Sequence, residues 1–134
     1  MAYLQSLHVA VFPSNAEGWN LGLTEALAQG CIVVASDIHA HRRQRDLLEE
    51  AVGEAEAHYR LRLVPTHKSL IVGHDRWYPG IHYVGKNWLE CDGLEFADTV
   101  FGALQNDPPA PWTDDHPFPL TWQKAGERLI EVVD

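Results

Sequence analysis

Residues 7–38 read LHVAVFPSNAEGWNLGLTEALAQGCIVVASDI, two apolar runs flanking a segment with a helical period. Leu7, Val9 and Val11 alternate with His8, Ala10 and Phe12, all apolar except His8, and Pro13 with Ser14 ends the run. The pattern predicts a mostly buried strand. Leu23, Ala26, Leu27 and Gly30 then follow a helical spacing, with Asn20 placed to cap the first turn and Gly30 to terminate the last. CIVVASD, residues 31–37, is a continuous β-branched and small apolar run, the kind buried on both faces of a parallel sheet. Strand, helix and strand within about thirty residues make a βαβ unit, so the chain is expected to be an α/β protein with its first two strands parallel and adjacent.

The remainder extends this scheme. From His41 a helical pattern runs through Leu47, Ala51, Ala55 and Tyr59, with Leu48 and Val52 beside it. Arg42 with Asp46 and Arg45 with Glu49 are at the i,i+4 spacing of ion pairs. LRLVP (61–65) and SLIVG (69–73) read as short strands, and residues 74–93 as a long loop or irregular hairpin, rich in Gly, Pro and aromatic residues. GLEFADTVFGALQ (93–105) is amphipathic through Leu94, Ala97, Val100, Phe101 and Leu104. The proline-rich segment 106–119 reads as an extended connector. Residues 120–133 read as a closing helix, capped by Thr121, with Trp122, Ala125, Leu129 and Val132 or Val133 facing the body.

Composition narrows the function. One domain over residues 1–134 is expected, since 134 residues at 46% hydrophobic content suffice for one core. Ten basic against nineteen acidic residues give a formal charge of −9, which argues against nucleic acid as a partner. Cys31 and Cys91, sixty positions apart, form neither a disulfide framework nor a CxxC pair and read as buried small residues of a cytoplasmic protein. No run approaches the roughly 18 apolar residues of a membrane span. The eight histidines, His39 and His41 among them, lack the compact spacing of a metal site.

Glu17 and Glu25, eight positions apart, bracket the start of the first helix. A carboxylate accepts hydrogen bonds from neighbouring hydroxyls, so two of them suit a ligand carrying two sugars. Ligands of open α/β sheets bind beyond the carboxyl ends of the strands, where helix amides attract anions. The alternative reading leaves both glutamates as solvated surface residues. His39, near the second strand's end, is open to the same two readings. Trp77, Tyr78, Tyr83 and Trp88 either stack on a sugar ring or pack over a sheet edge.

The string from Leu7 to Ile38 resembles the C-terminal domain signature of GT-B-fold retaining glycosyltransferases, the nucleotide-sugar-dependent family related to glycogen and sucrose synthases. The likeness lies in the strand ending in PS, the EG-aromatic turn, the glutamate eight positions on, the helix ending in a small residue and glycine, and the VVASD strand. Residues 92–133 resemble the family's last two helices more loosely. The resemblance implies a three-layer, Rossmann-like parallel sheet forming part of the donor-binding domain, and retaining transfer of a hexose from a nucleotide-diphosphate sugar to an acceptor hydroxyl. Carried onto this chain, it places Glu17 at the transferred hexose as the catalytic residue and Glu25 at the ribose hydroxyls. Gly18, Trp19, Asn20, Leu21 and Gly22 then face the donor's sugar and diphosphate, with no metal and no other cofactor. Asn20 stands where glycine is commoner and Ile32 where proline is usual, so the resemblance leaves the hexose unspecified. The family's basic pair lies upstream, and here no Lys or Arg precedes Arg42. The expectation is therefore a segment completed by an N-terminal half or partner chain, which when isolated binds donor weakly or not at all, transfers no sugar, and self-associates or pairs with a partner through an unpaired sheet edge and apolar patch before Leu7. The alternative is a non-catalytic nucleotide-sugar-binding or interaction module of the same fold.

Overall fold

The computed structural model of the chain describes residues 7–70 and 87–124. Val9–Phe12 (β1), Ile32–Ser36 (β2) and Leu61–Val64 (β3) form a three-stranded sheet in that order. Both pairings are parallel, with Val9 opposite Ile32 and Val33 opposite Leu61. Between β1 and β2 runs α1 (Leu21–Ala28); between β2 and β3 run α2 (His39–Val52) and α3 (Glu54–Arg60). Thr66–Leu70 (β4) and Asn87–Cys91 (β5) pair antiparallel, and α4 (Gly93–Leu104) follows.

Every residue of β2 is buried, as its uninterrupted apolar run requires of a central strand covered on both faces. Ala10, Val33, Ala35 and Leu61 meet Leu23, Ala26 and Leu27 of α1, Leu48 of α2 and Ala57 of α3. On the opposite face Val9, Ile32, Val34 and Val64 meet Phe96, Val100 and Ala103 of α4. Helices on both sides of a parallel sheet give the expected three-layer, Rossmann-like α/β arrangement.

The helix ends follow their residues. Asn20 Oδ1 accepts from the Leu23 amide at 3.2 Å. At the other end Gly30 takes φ 83°, its amide reaching the Leu27 carbonyl while that of Cys31 reaches Ala26. This is the paired closure of a Schellman turn, which favours glycine at that position.

Several expectations are corrected. The single helix expected from His41 to Tyr59 starts at His39 and divides at Gly53, whose φ of 88° and ψ of 162° only glycine adopts freely. Its buried residues are Ala40, His41, Gln44, Leu48, Ala57 and Arg60, while Ala51 and Ala55 are exposed. Arg45 pairs with Glu49 at 3.7 Å, but Arg42 Nε pairs with Asp37 at 2.9 Å instead of with Asp46. In α4, Val100 packs inward as expected, but Leu94, Ala97, Phe101 and Leu104 face outward, and Phe96 and Ala103 join Val100 on the inward side. The second short strand begins at Thr66, and the segment expected as loop or hairpin ends in β5, which pairs with it.

Segment 106–119 is more than a connector. Trp112 donates from Nε1 to the Leu27 carbonyl at 2.9 Å and packs edge-on against Phe118. The buried Arg60 guanidinium stacks over the Trp112 ring at 3.9 Å and donates to the Ala110 carbonyl. Thr121 caps the next turn, as expected, but Trp122 is 80% exposed and does not face the body. Residues 1–6, the loop holding Trp77, Tyr78 and Tyr83, and the closing helix beyond residue 124 lie outside the described residues.

Candidate functional site

The carboxyl ends of β1, β2 and β3 lie along one edge of the sheet, because parallel strands all point the same way. The loop from Pro13 to Asn20 leaves β1 there and leads into the first turn of α1. Asn20 is the one non-glycine residue with positive φ, 67°, among those described. Asparagine tolerates that conformation better than most residues, and here its side chain does two further things. Oδ1 receives the Leu23 amide, and Nδ2 lies 2.9 Å from Nε2 of His41.

His41 is fully buried, and its other ring nitrogen, Nδ1, lies 2.8 Å from the Ser36 carbonyl. Burial outweighs the hydrogen bond to Ser36 and the charges of Glu17 and Asp37, so its pKa falls below the usual histidine value of 6.5. Gln44, one turn further along α2, is also fully buried. Its amide donates to the Trp19 carbonyl and, at 3.4 Å, to that of Asn20, and its oxygen accepts from Thr24 Oγ1 at 2.8 Å. Two buried polar side chains of α2 thus grip the turn that opens α1.

A continuous path of hydrogen bonds reaches from this grip to Glu17. Ser36 donates to the carbonyl of Ser14, and Ser14 Oγ donates to Glu17 Oε1 at 2.8 Å. Asn15 anchors the same loop on the far side, donating to the Leu89 carbonyl of β5 at 2.6 Å.

The structure gives each expected site residue a definite place. Glu17 and Gly18 are exposed in the loop, Trp19 and Asn20 half-buried at its end, Leu21 exposed and Gly22 half-buried at the start of α1, and Glu25 exposed in its second turn. A helix leaves its first amides without partners inside the helix. The Leu23 amide is taken by Asn20, and those of Leu21 and Gly22 have no partner among the described residues. A Cβ at Gly22 would come within 3.3 Å of the Phe12 ring, so packing against β1 already accounts for glycine there; at Gly18 nothing lies within 4 Å.

A cleft of about 350 Å³ lies beside the same loop, lined by Pro13, Asn15, Glu90, Cys91, Gly93 and Phe96. Neither Glu17 nor Glu25 lines it. The two cysteines differ from expectation in one respect: Cys31 is buried, but Cys91 only half-buried. Burial pushes both thiols up, which disfavours the reactive thiolate. Among the described residues no group of three His, Cys, Asp or Glu side chains is arranged to hold a metal ion, and no helix is long and apolar enough to cross a membrane. His39 is exposed, whereas His41 is buried and hydrogen-bonded to both Asn20 and the Ser36 carbonyl.

Sequence reading missed His41, Gln44, Ser14 and Ser36. The signal was present in the spacing: positions 41, 44 and 48 form one stripe of α2, whose first two members are polar because they face a turn of backbone carbonyls and a capping amide.

The sequence model of the family described as glycosyl transferases group 1 matches residues 1–76. That span is more than half of the 134 residues and holds β1 to β4 and α1 to α3. Comparison with curated proteins and with solved structures gave no match.

Proposed function

Because the chain belongs to the group 1 glycosyltransferases, we propose that the turn from Glu17 to Gly22 and the first two turns of α1 bind a nucleotide-diphosphate sugar for retaining hexose transfer to an acceptor hydroxyl. The observation that carries this reading is the pair of α1 amides, Leu21 and Gly22, at the carboxyl end of a parallel strand with carboxylates before and after them. The diphosphate rests at those amides, where the helix dipole favours an anion. Glu25 accepts from the ribose hydroxyls. Glu17, oriented by Ser14, accepts from the transferred hexose.

Negative charge grows on the departing diphosphate, and its stabilisation governs the rate. Amides and a helix dipole contribute roughly 0.3 to 2 kcal/mol, well short of that task. Within residues 1–41 there is no Lys or Arg, and Arg42 is held by Asp37. The cations, and with them the acceptor site, come in this reading from a further polypeptide segment or partner chain, and residues 1–134 serve as the second part of a donor-binding domain. The same charge shortage favours the alternative that the chain binds nucleotide sugars without transferring them.

Calorimetric titration with a panel of uridine-, guanosine- and adenosine-diphosphate sugars tests the reading. One class of nucleotide is expected to bind weakly, with Glu25→Gln reducing affinity for both the sugar nucleotide and the bare nucleotide diphosphate, and Glu17→Gln reducing it for the sugar nucleotide alone. Equal loss for both ligands in both variants would remove the assigned roles. Steady hexose transfer by the purified chain alone would overturn the need for a further segment.

A further inference from the structure

We propose that His41 is a positioning residue for the turn from Trp19 to Gly22: its neutral ring, protonated at Nδ1, locks Asn20 in its left-handed conformation, and uptake of a second proton at Nε2 releases that lock. The hydrogen-bond network itself fixes the proton. The Leu23 amide is a donor, so the Asn20 atom 3.2 Å from it is the oxygen. The Asn20 nitrogen therefore faces His41 across 2.9 Å. A side-chain amide nitrogen only donates, so Nε2 must accept, and the single ring proton lies on Nδ1, donating to the Ser36 carbonyl.

Adding a proton to Nε2 sets two donors face to face. Rotating the Asn20 amide by half a turn does not help, because its nitrogen would then oppose the Leu23 amide. Either orientation leaves one donor without an acceptor in a site where the ring is fully buried. Glu17, from the loop, and Asp37, from the end of β2, are the charged groups that act on the ring, and both favour the protonated form. Gln44 and Thr24, the other polar side chains at the turn, carry no charge. Arg42, next to His41 on α2, is engaged with Asp37. Loss of the Asn20 bond leaves the Trp19 carbonyl on Gln44 but frees the cap, so the first amides of α1 lose their aim while the helix body stays packed through Leu23 and Leu27.

For its consequence in ligand binding this inference rests on the donor-site reading; the lock itself does not. The test is ring and backbone ¹⁵N spectroscopy of the whole chain from pH 7.5 to 4.5. The expected result at pH 7.5 is a neutral His41 ring protonated at Nδ1. Below pH 6.5 the ring titrates, and the Leu23 amide and those of residues 19–22 shift with the same midpoint, while buried Val33 stays unmoved. In Asn20→Gly, where glycine adopts the positive φ without strain, the ring still titrates but the Leu23 amide no longer follows it. In His41→Gln, whose side-chain oxygen can replace Nε2 as acceptor, no shift of these amides occurs over the range. A ring protonated at Nε2 at neutral pH, or amides 19–23 that ignore the titration, would overturn the proposal.

Uridine diphosphate added at each pH separates the two readings. If the neutral form alone binds, affinity falls about ten-fold per pH unit below the midpoint, and His41→Gln flattens that profile. Coupled titration with no nucleotide binding at any pH supports the lock and overturns the donor site alone.

Discussion

Asn20 joins three demands in one side chain: a left-handed backbone, a cap for α1 and a partner for His41. Its capping role was legible from an Asx residue ahead of an apolar helical run, as was the terminating role of Gly30. His41 and Gln44 were not, because they sit among Arg42, Arg43, Arg45 and Asp46, where polar residues read as a solvated face. Only the packing of α2 against the turn gives them meaning. Gln44 tests this directly. Truncation to alanine empties a fully buried position, takes the Gln44 donor from the half-buried Trp19 carbonyl, and leaves the Thr24 hydroxyl only its longer bond of 3.4 Å to the Asn20 carbonyl. A loss of about 1 to 3 kcal/mol is expected in urea denaturation, against less than about 0.5 kcal/mol for exposed Arg43→Ala. Equal small effects would mean that the grip does not exist in solution.

Elements differ in how plainly they announce themselves. β1, α1 and β2 were readable because turn residues bound each run and a central parallel strand needs apolar residues on both faces, but β1, expected to be mostly buried, lies at the edge of the described sheet, buries only Ala10 and leaves Val11 47% exposed. In α4 the existence of the helix was legible and its rotation was not. Leu94, Phe101 and Leu104 are larger than the inward Ala103, so the most apolar stripe is not the buried one, and these three are 55% to 79% exposed. Periodicity reports which residues share a face, not which face a crowded sheet accepts, and the layer beside Ile32 and Val34 admits a small residue at position 103. Ala103→Leu is therefore expected to cost about 1 to 3 kcal/mol through overpacking, whereas Leu94→Ser should stay within about 0.5 kcal/mol. Thermal melts of the two variants decide between the rotations: the reverse order of stabilities would turn the helix back to the face its sequence suggested. A similar lesson applies between α2 and α3, where one glycine at φ 88° divides a pattern that reads as continuous.

At the scale of the whole molecule, a parallel sheet aligns its strand ends along one edge, and the Glu17 to Gly22 turn is held there by β2, α2 and β5 together. The motif from Glu17 to Glu25 is what nominates the residues proposed to contact a sugar nucleotide. The scaffold that orients them was not legible, since Ser36, His41, Gln44 and Leu89 are distant in sequence from the turn they hold. If the opening of α1 receives a diphosphate, backbone amide shift mapping detects it even at roughly millimolar strength. On titration with uridine diphosphate at pH 7.5, the largest shifts are expected at Leu21 and Gly22, smaller ones near Glu25, and attenuation throughout in Glu25→Gln. Shifts confined to the cleft between Pro13, Glu90 and Phe96, with Leu21 and Gly22 unmoved, would contradict a diphosphate at the opening of α1.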